Sequence, residues 1–180
     1  MTDGPVTAAE RAVVGRQLGR SPRALVAVAH RCPCGQPDVV ETSPRLEDGT
    51  PFPTLYYLTC PRASAAASRL ESAGRMREWQ DELGTDEELA AAYRAAHEAY
   101  LAERDAKDVL PTRATAGGMP DRVKCLHALA GHALAAGPGV NPIGDRAVAE
   151  MGEWWAPGPC AAPVPEDPAD VRGDGREVRA

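Results

Sequence analysis

Cys32, Cys34, Cys60 and Cys125 are the residues of this chain best suited to chemistry. Thiolates bind soft metals and attack electrophiles, and both tasks need the sulfur at the end of a structural element rather than in its middle. Cys32 and Cys60 meet that condition. Each follows an apolar run and directly precedes a proline, so neighbouring strands would carry the two thiols side by side. Cys125 falls on a helix predicted over Asp121 to Ala136. His132, seven residues on, shares its face but lies about 10 Å along the axis at ~1.5 Å per residue. His127, two residues on, faces roughly the opposite way on such a helix. The candidate ligands are therefore Cys32, Cys34, Cys60 and Cys125, with His127 or His132 beside them. Zinc or an iron–sulfur cluster is the matching cofactor. The spacing lacks the paired C-x₂-C knuckles of zinc ribbons, and buried cysteines serving as small hydrophobes are the competing reading. His30 and His97 are further candidates. His97 shares a helical face with Leu89, Tyr93, Tyr100 and Arg104, which equally suits a core histidine with a hydrogen-bond partner.

Two other chemistries are open. In Cys60-Pro61-Arg62 a thiol precedes a helix whose first turn carries a guanidinium, and both favour a reactive thiolate. The stretch Gly117 to Lys124 puts a flexible backbone before a predicted helix start. Arg122 and Lys124 would sit in its first turn, a place for phosphate or carboxylate. With Arg62 they would bind an anionic or phosphorylated small molecule, and Arg45 and Arg113 are within the same class. No Walker loop or dinucleotide fingerprint is present, and a linker turn with solvated charges explains the stretch as well.

The elements that must position these residues follow from the pattern. Thr7-Ala8-Ala9-Glu10 is a capping box opening a helix that stops at Gly19. Ala24 to Ala29, Asp38 to Thr42 and Thr54 to Thr59 read as strands. Helices are predicted over Arg62 to Ala73, Met76 to Leu83, Thr85 to Asp108, Asp121 to Ala136 and Asp145 to Trp155, with a second capping box at Thr85-Asp86-Glu87-Glu88. The fold class is α+β: a small early sheet of two or three strands packed against a mainly helical C-terminal two-thirds. Leu25, Val26, Val28, Leu55, Tyr57, Leu58, Leu126 and Leu129 are the expected large core residues. Residues 1–155 form one domain. Residues 156–180, rich in Pro, Gly and charge, read as a disordered tail that removes Cys160 from any site.

A net charge of −6 argues against general nucleic-acid binding. No run reaches the ~18–20 apolar residues of a membrane span, and the N-terminus lacks the apolar stretch of a signal peptide, so a cytoplasmic location without membrane insertion is expected. Five cysteines, an odd number, argue against a disulfide framework.

Five strings carry a resemblance. They are Cys32-Pro33-Cys34-Gly35-Gln36-Pro37, Pro51 to Pro61, Gly117-Gly118-Met119-Pro120, Val123-Lys124-Cys125-Leu126-His127 and Gly139 to Gly144. Over about residues 8 to 155 the chain resembles an uncharacterised bacterial family, domain of unknown function 501, common in actinobacteria. The resemblance implies no activity. It points to Cys32, Cys60, Cys125 and His127, and less to His97. Remote members often carry an aromatic residue where Cys34 stands, which implies three thiols and an imidazole rather than four thiols. Family genes tend to lie near a septum-formation gene, which implies a division-related protein partner and a third function, a non-catalytic interaction protein.

Overall fold

The computed structural model of the protein describes residues 6–161. The N-terminal residues 1–5 and the expected tail over 162–180 lie outside the described residues. Helix α1 (Ala8–Leu18) begins at the Thr7 cap. The Thr7 hydroxyl accepts from the Glu10 amide, the Glu10 carboxylate accepts from the Thr7 amide, and Gly19 ends the helix at φ 66°. Strands β1 (Leu25–Arg31), β2 (Pro37–Thr42) and β3 (Tyr56–Leu58) follow. They form an antiparallel sheet in the order β1-β2-β3, with Val28 opposite Val40 and Val39 opposite Leu58. The rest is helical: α2 (Pro61–Ser72), α3 (Arg75–Leu83), α4 (Glu87–Asp105), α5 (Leu126–Ala136) and α6 (Pro142–Met151). The chain is α+β, as its pattern predicts. No helix among the described residues is long and apolar enough to cross a membrane.

Helix α5 is the centre of the molecule. Small residues let its neighbours reach it. Gly131 has no side chain to separate α5 from β3: an added Cβ would lie 3.5 Å from the Leu58 amide nitrogen and 3.6 Å from the Tyr56 carbonyl. Gly144 does the same for α6, where an added Cβ would collide with the Leu129 carbonyl. Leu126, Leu129 and Ala130 are fully buried between the sheet and the outer helices. This close approach is what the alanine-rich composition permits: small side chains give up area per residue but allow short distances between elements.

Several expectations need correction. Val26 is 44% exposed, and Leu25 and Tyr57 are only half-buried. β1 is an edge strand with register shifts beside Ala27 and His30, so its alternation does not map cleanly onto one buried face. Tyr56, rather than Tyr57, faces the core. The cap of α4 is Asp86, whose carboxylate accepts from the Leu89 amide, one residue later than the box at Thr85 implies. α6 starts at Pro142 behind an Asn141 cap, with proline in the first turn where its missing N–H costs nothing. Residues 156–161, assigned by composition to a tail, instead lie against the fold. Arg62 donates to the Gly158 carbonyl, and the Gln36 side-chain amide donates to the Ala161 carbonyl at 3.0 Å.

Candidate functional site

The most consequential difference concerns the start of α5. The helix begins at Leu126, five residues later than the sequence pattern suggests. Cys125 is its N-cap, with extended backbone at φ −151°, ψ 105°. A residue outside the helix is free of the 100° step that would separate it from His127. The Cys125 Sγ and the His127 Nδ1 accordingly lie 4.0 Å apart.

A third residue completes the group. Glu71, near the end of α2, places Oε1 3.1 Å from His127 Nδ1. The same oxygen accepts the Leu126 amide at 2.7 Å, satisfying one of the free N–H groups at the start of α5. A carboxylate there is also favoured by the helix dipole. On its far side the His127 ring lies 3.2 Å, through Nε2, from the Ser68 Oγ. Ser64, Ser68 and Glu71 recur at four- and three-residue intervals on α2, so one polar stripe of that helix runs along the start of α5. That stripe is the signal the sequence offered for Glu71 and Ser68.

Glu71, Cys125 and His127 are the one group of at least three His, Cys, Asp or Glu donors lying within 4.8 Å of one another among the described residues. All three are half-buried. The electrostatics favour the charged forms of both Cys125 and His127. The neighbouring His127 holds the Cys125 thiol below its ordinary value against the opposing effect of burial, and the Ala128 amide assists. Cys125 in turn raises His127 to about 9, burial opposes this, and Glu71 reinforces it. The group opens on a cavity of about 610 Å³ lined by Gln17, Tyr56, Leu58, Pro61, Ser64 and other residues, with Cys125 and His127 in its wall. Among the described residues no lysine or arginine lines this cavity.

The remaining candidates are elsewhere. Cys32 and Cys60 are buried and join neither Cys125 nor His127 in a ligand group. The reason is topological. Both end at the turn side of the sheet, where Cys32 contacts Cys34 and Cys60 contacts Cys160. Burial pushes both thiols up to about 12, which removes the basis for a reactive Cys60. Arg62 is engaged with the Gly158 carbonyl. Arg122 and Lys124 are exposed on a turn that precedes α5, so the helix N-terminus that the anion reading required does not form there. Arg45 pairs with Asp108 at 2.6 Å and Arg113 with Glu98 at 2.8 Å. His30 pairs with the buried Asp38 at 2.7 Å. His97 is a buried histidine whose Nδ1 lies 3.0 Å from the Thr115 hydroxyl, and burial lowers its pKa.

His132 is a core residue. Its ring stacks on Tyr56 at 6.0 Å and meets Tyr100 edge-on at 5.0 Å. The Asn141 side-chain amide donates to its Nδ1 at 3.1 Å, which puts the neutral ring's proton on Nε2. Burial lowers its pKa from 6.5 to about 4. The unfolded chain therefore takes up a proton that the folded chain refuses. Stability is full above pH 6.5 and falls as pH drops toward about 4, by about 3 kcal/mol in all at ~1.4 kcal/mol per unit. Urea unfolding at pH 7 and pH 5 measures it. His132→Gln is expected to show a visibly shallower acid loss; an unchanged slope would assign the loss to other groups.

No curated protein and no solved structure matches the chain. One family model does, over residues 28–149, a span that holds α5, the Glu71–Cys125–His127 group and most of the cavity wall. On that match the chain belongs to the family described as protein of unknown function DUF501.

Proposed function

We propose that the protein binds a zinc ion through Glu71, Cys125 and His127 and presents it to the adjoining cavity. The observation that carries this reading is the way His127 is used. Its Nδ1 faces both the Cys125 sulfur and the Glu71 carboxylate, at 4.0 Å and 3.1 Å. Donor atoms around a tetrahedral zinc, at bonds of about 2.0–2.3 Å, are separated by roughly 3.3–3.8 Å, so these spacings fit an ion with little movement. Nε2 is left to hydrogen-bond with Ser68, which would fix the ring and its tautomer from the far side. A thiolate, an imidazole and a carboxylate are zinc donors. Three protein ligands leave a fourth position for water or substrate, the pattern of catalytic rather than structural zinc. An iron–sulfur cluster fits poorly, because it takes cysteine at nearly every position and this group has one.

A thiol nucleophile is the second reading, and the lowered Cys125 pKa favours it. The geometry favours it less. A nucleophile–base–acid relay uses opposite nitrogens of the ring, and here Cys125 and Glu71 share one.

Zinc titration of reduced, metal-free protein separates the two. Cys125→Ser and His127→Ala are each expected to abolish tight binding. Ser68→Ala is expected to weaken it by roughly 10-fold, as loss of an outer hydrogen bond does. Equal zinc affinity in wild type and Cys125→Ser would end the metal reading.

A further inference from the structure

We propose that the outer face of the sheet carries a second binding site, independent of the candidate metal centre, for a small monocarboxylic acid with an apolar body. Its floor follows from strand register. Val40 and Thr42 lie two residues apart on β2, with Tyr57 opposite Val40 and Leu25 opposite Thr42. These four share the face turned away from α5, because Val39 and Leu58, which alternate with Val40 and Tyr57, belong to the core. A cavity of about 260 Å³ lies over them. Leu18 and Pro22 close it from the end of α1, and Leu46 and Phe52 close it from the β2–β3 connection. That connection is held in shape: the Leu46 amide donates to the Thr50 carbonyl at 2.9 Å and the Phe52 amide to the Pro44 carbonyl at 2.6 Å. The turn at the mouth is fixed too. Ala24 sits at φ 52°, a left-handed conformation that a non-glycine residue keeps only where its surroundings impose it, and its carbonyl accepts the Ser43 amide at 2.7 Å.

The floor asks for an apolar ligand body, since the Thr42 hydroxyl is already spent on the Thr54 carbonyl. The volume equals that of roughly nine waters, enough for a short acyl chain or one aromatic ring. The mouth supplies the charge. Arg20 and Arg23 line it, both exposed, and no Asp or Glu lines the cavity among the described residues. Arg20 reaches the Ser21 carbonyl at 3.4 Å, and Arg23 makes no hydrogen bond or ion pair among the described residues. In a chain of net charge −6, residues 6–23 carry Arg11, Arg16, Arg20 and Arg23 against Glu10, which pairs with Arg31. The local field therefore favours an anion, and guanidinium forks take a carboxylate in bidentate fashion. A phosphate monoester fits less well. Glu47 and Asp48 line an adjoining recess with Arg23, and they repel a charge near −2 more than a charge of −1. Leu18 and Tyr57 also line the cavity beside Cys125 and His127, but neither of those two ligands nor Glu71 lines this one. The site likewise shares no residue with the anion site expected at Arg62, Arg122 and Lys124.

The test is calorimetric titration of the metal-free full chain with octanoate, octanamide and octyl phosphate at fixed ionic strength. One octanoate per chain is expected, with octanamide bound roughly 10-fold more weakly because it forms no charge-assisted bonds. Arg20→Gln and Arg23→Gln combined should weaken octanoate by a similar factor, leave octanamide unchanged and keep the circular dichroism of the wild type. Phe52→Ala should weaken both ligands, and Cys125→Ser should bind octanoate as the wild type does. Equal affinity for octanoate and octanamide, or for wild type and the double arginine variant, would overturn the proposal. So would several weakly bound octanoates per chain, no binding at all, tighter binding of octyl phosphate, or an unchanged Phe52→Ala. Loss of octanoate binding in Cys125→Ser would place the carboxylate at the metal centre and overturn it as well.

Discussion

Gly144→Ala is expected to destabilise the protein by about 2–3 kcal/mol, although alanine in a helix is ordinarily worth about 1 kcal/mol over glycine. The sign turns on what the new methyl meets. Its carbon would sit 2.8 Å from the Ala133 Cβ and inside contact distance of the Leu129 carbonyl oxygen. The carbonyl is backbone in the middle of α5 and cannot swing aside as a side chain would. Helix α6 must move away, and the fully buried Ile143 and Ala147 beside Gly144 would lose their packing with it. Urea denaturation measures the cost, and an unchanged or higher midpoint would show that the two helices are not held this close. Because α5 begins at the candidate metal ligands, the same substitution is expected to lower zinc affinity without touching a donor.

Arg104→Met is expected to cost about 3 kcal/mol. Arg104 is the largest fully buried side chain of the protein's described residues, 1% exposed. Its guanidinium donates to the Ala114 carbonyl at 2.7 Å, to the Thr112 carbonyl at 2.8 Å, and through Nε to the Asp105 carboxylate at 2.9 Å. Methionine keeps much of the aliphatic stem and removes every donor. The connection between α4 and α5 then loses its anchor, and Asp105 loses its partner. A loss under about 1 kcal/mol would mean that water replaces the guanidinium freely.

These two sites also show what could be read before the structure. Arg104 was legible only as one member of a helical face with Tyr93, His97 and Tyr100. Spacing assigns a face, but the decision to bury a guanidinium is made by carbonyls eight and ten residues further on. Gly144 stood just ahead of the helix predicted from Asp145, whereas its role is a close approach between two helices, which no local pattern encodes. The sheet and the helices were legible because their apolar periods and caps are local: Thr7 and Gly19 bound α1 where expected.

The candidate site was half legible. Cys125 and His127 stood out as neighbours in sequence, but on a continuous helix they diverge. The stop at Lys124 comes from contacts outside the segment: the Gly117 carbonyl accepts the Lys124 amide at 2.7 Å, and Glu71 caps Leu126. Cys32 and Cys60 were placed correctly at strand ends. Their partners, Cys34 and Cys160, depend on how the last described residues return across the sheet, and proline- and glycine-rich composition hides that return.

The central claim is that Glu71, Cys125 and His127 hold one metal ion. Its most direct test is the zinc content of the full chain, purified without chelator under reducing conditions, beside that of Cys125→Ser prepared identically. One zinc per chain in the wild type and none in the folded variant is the result predicted. Equal content in the two, or none in either after incubation with zinc and gel filtration, would contradict it.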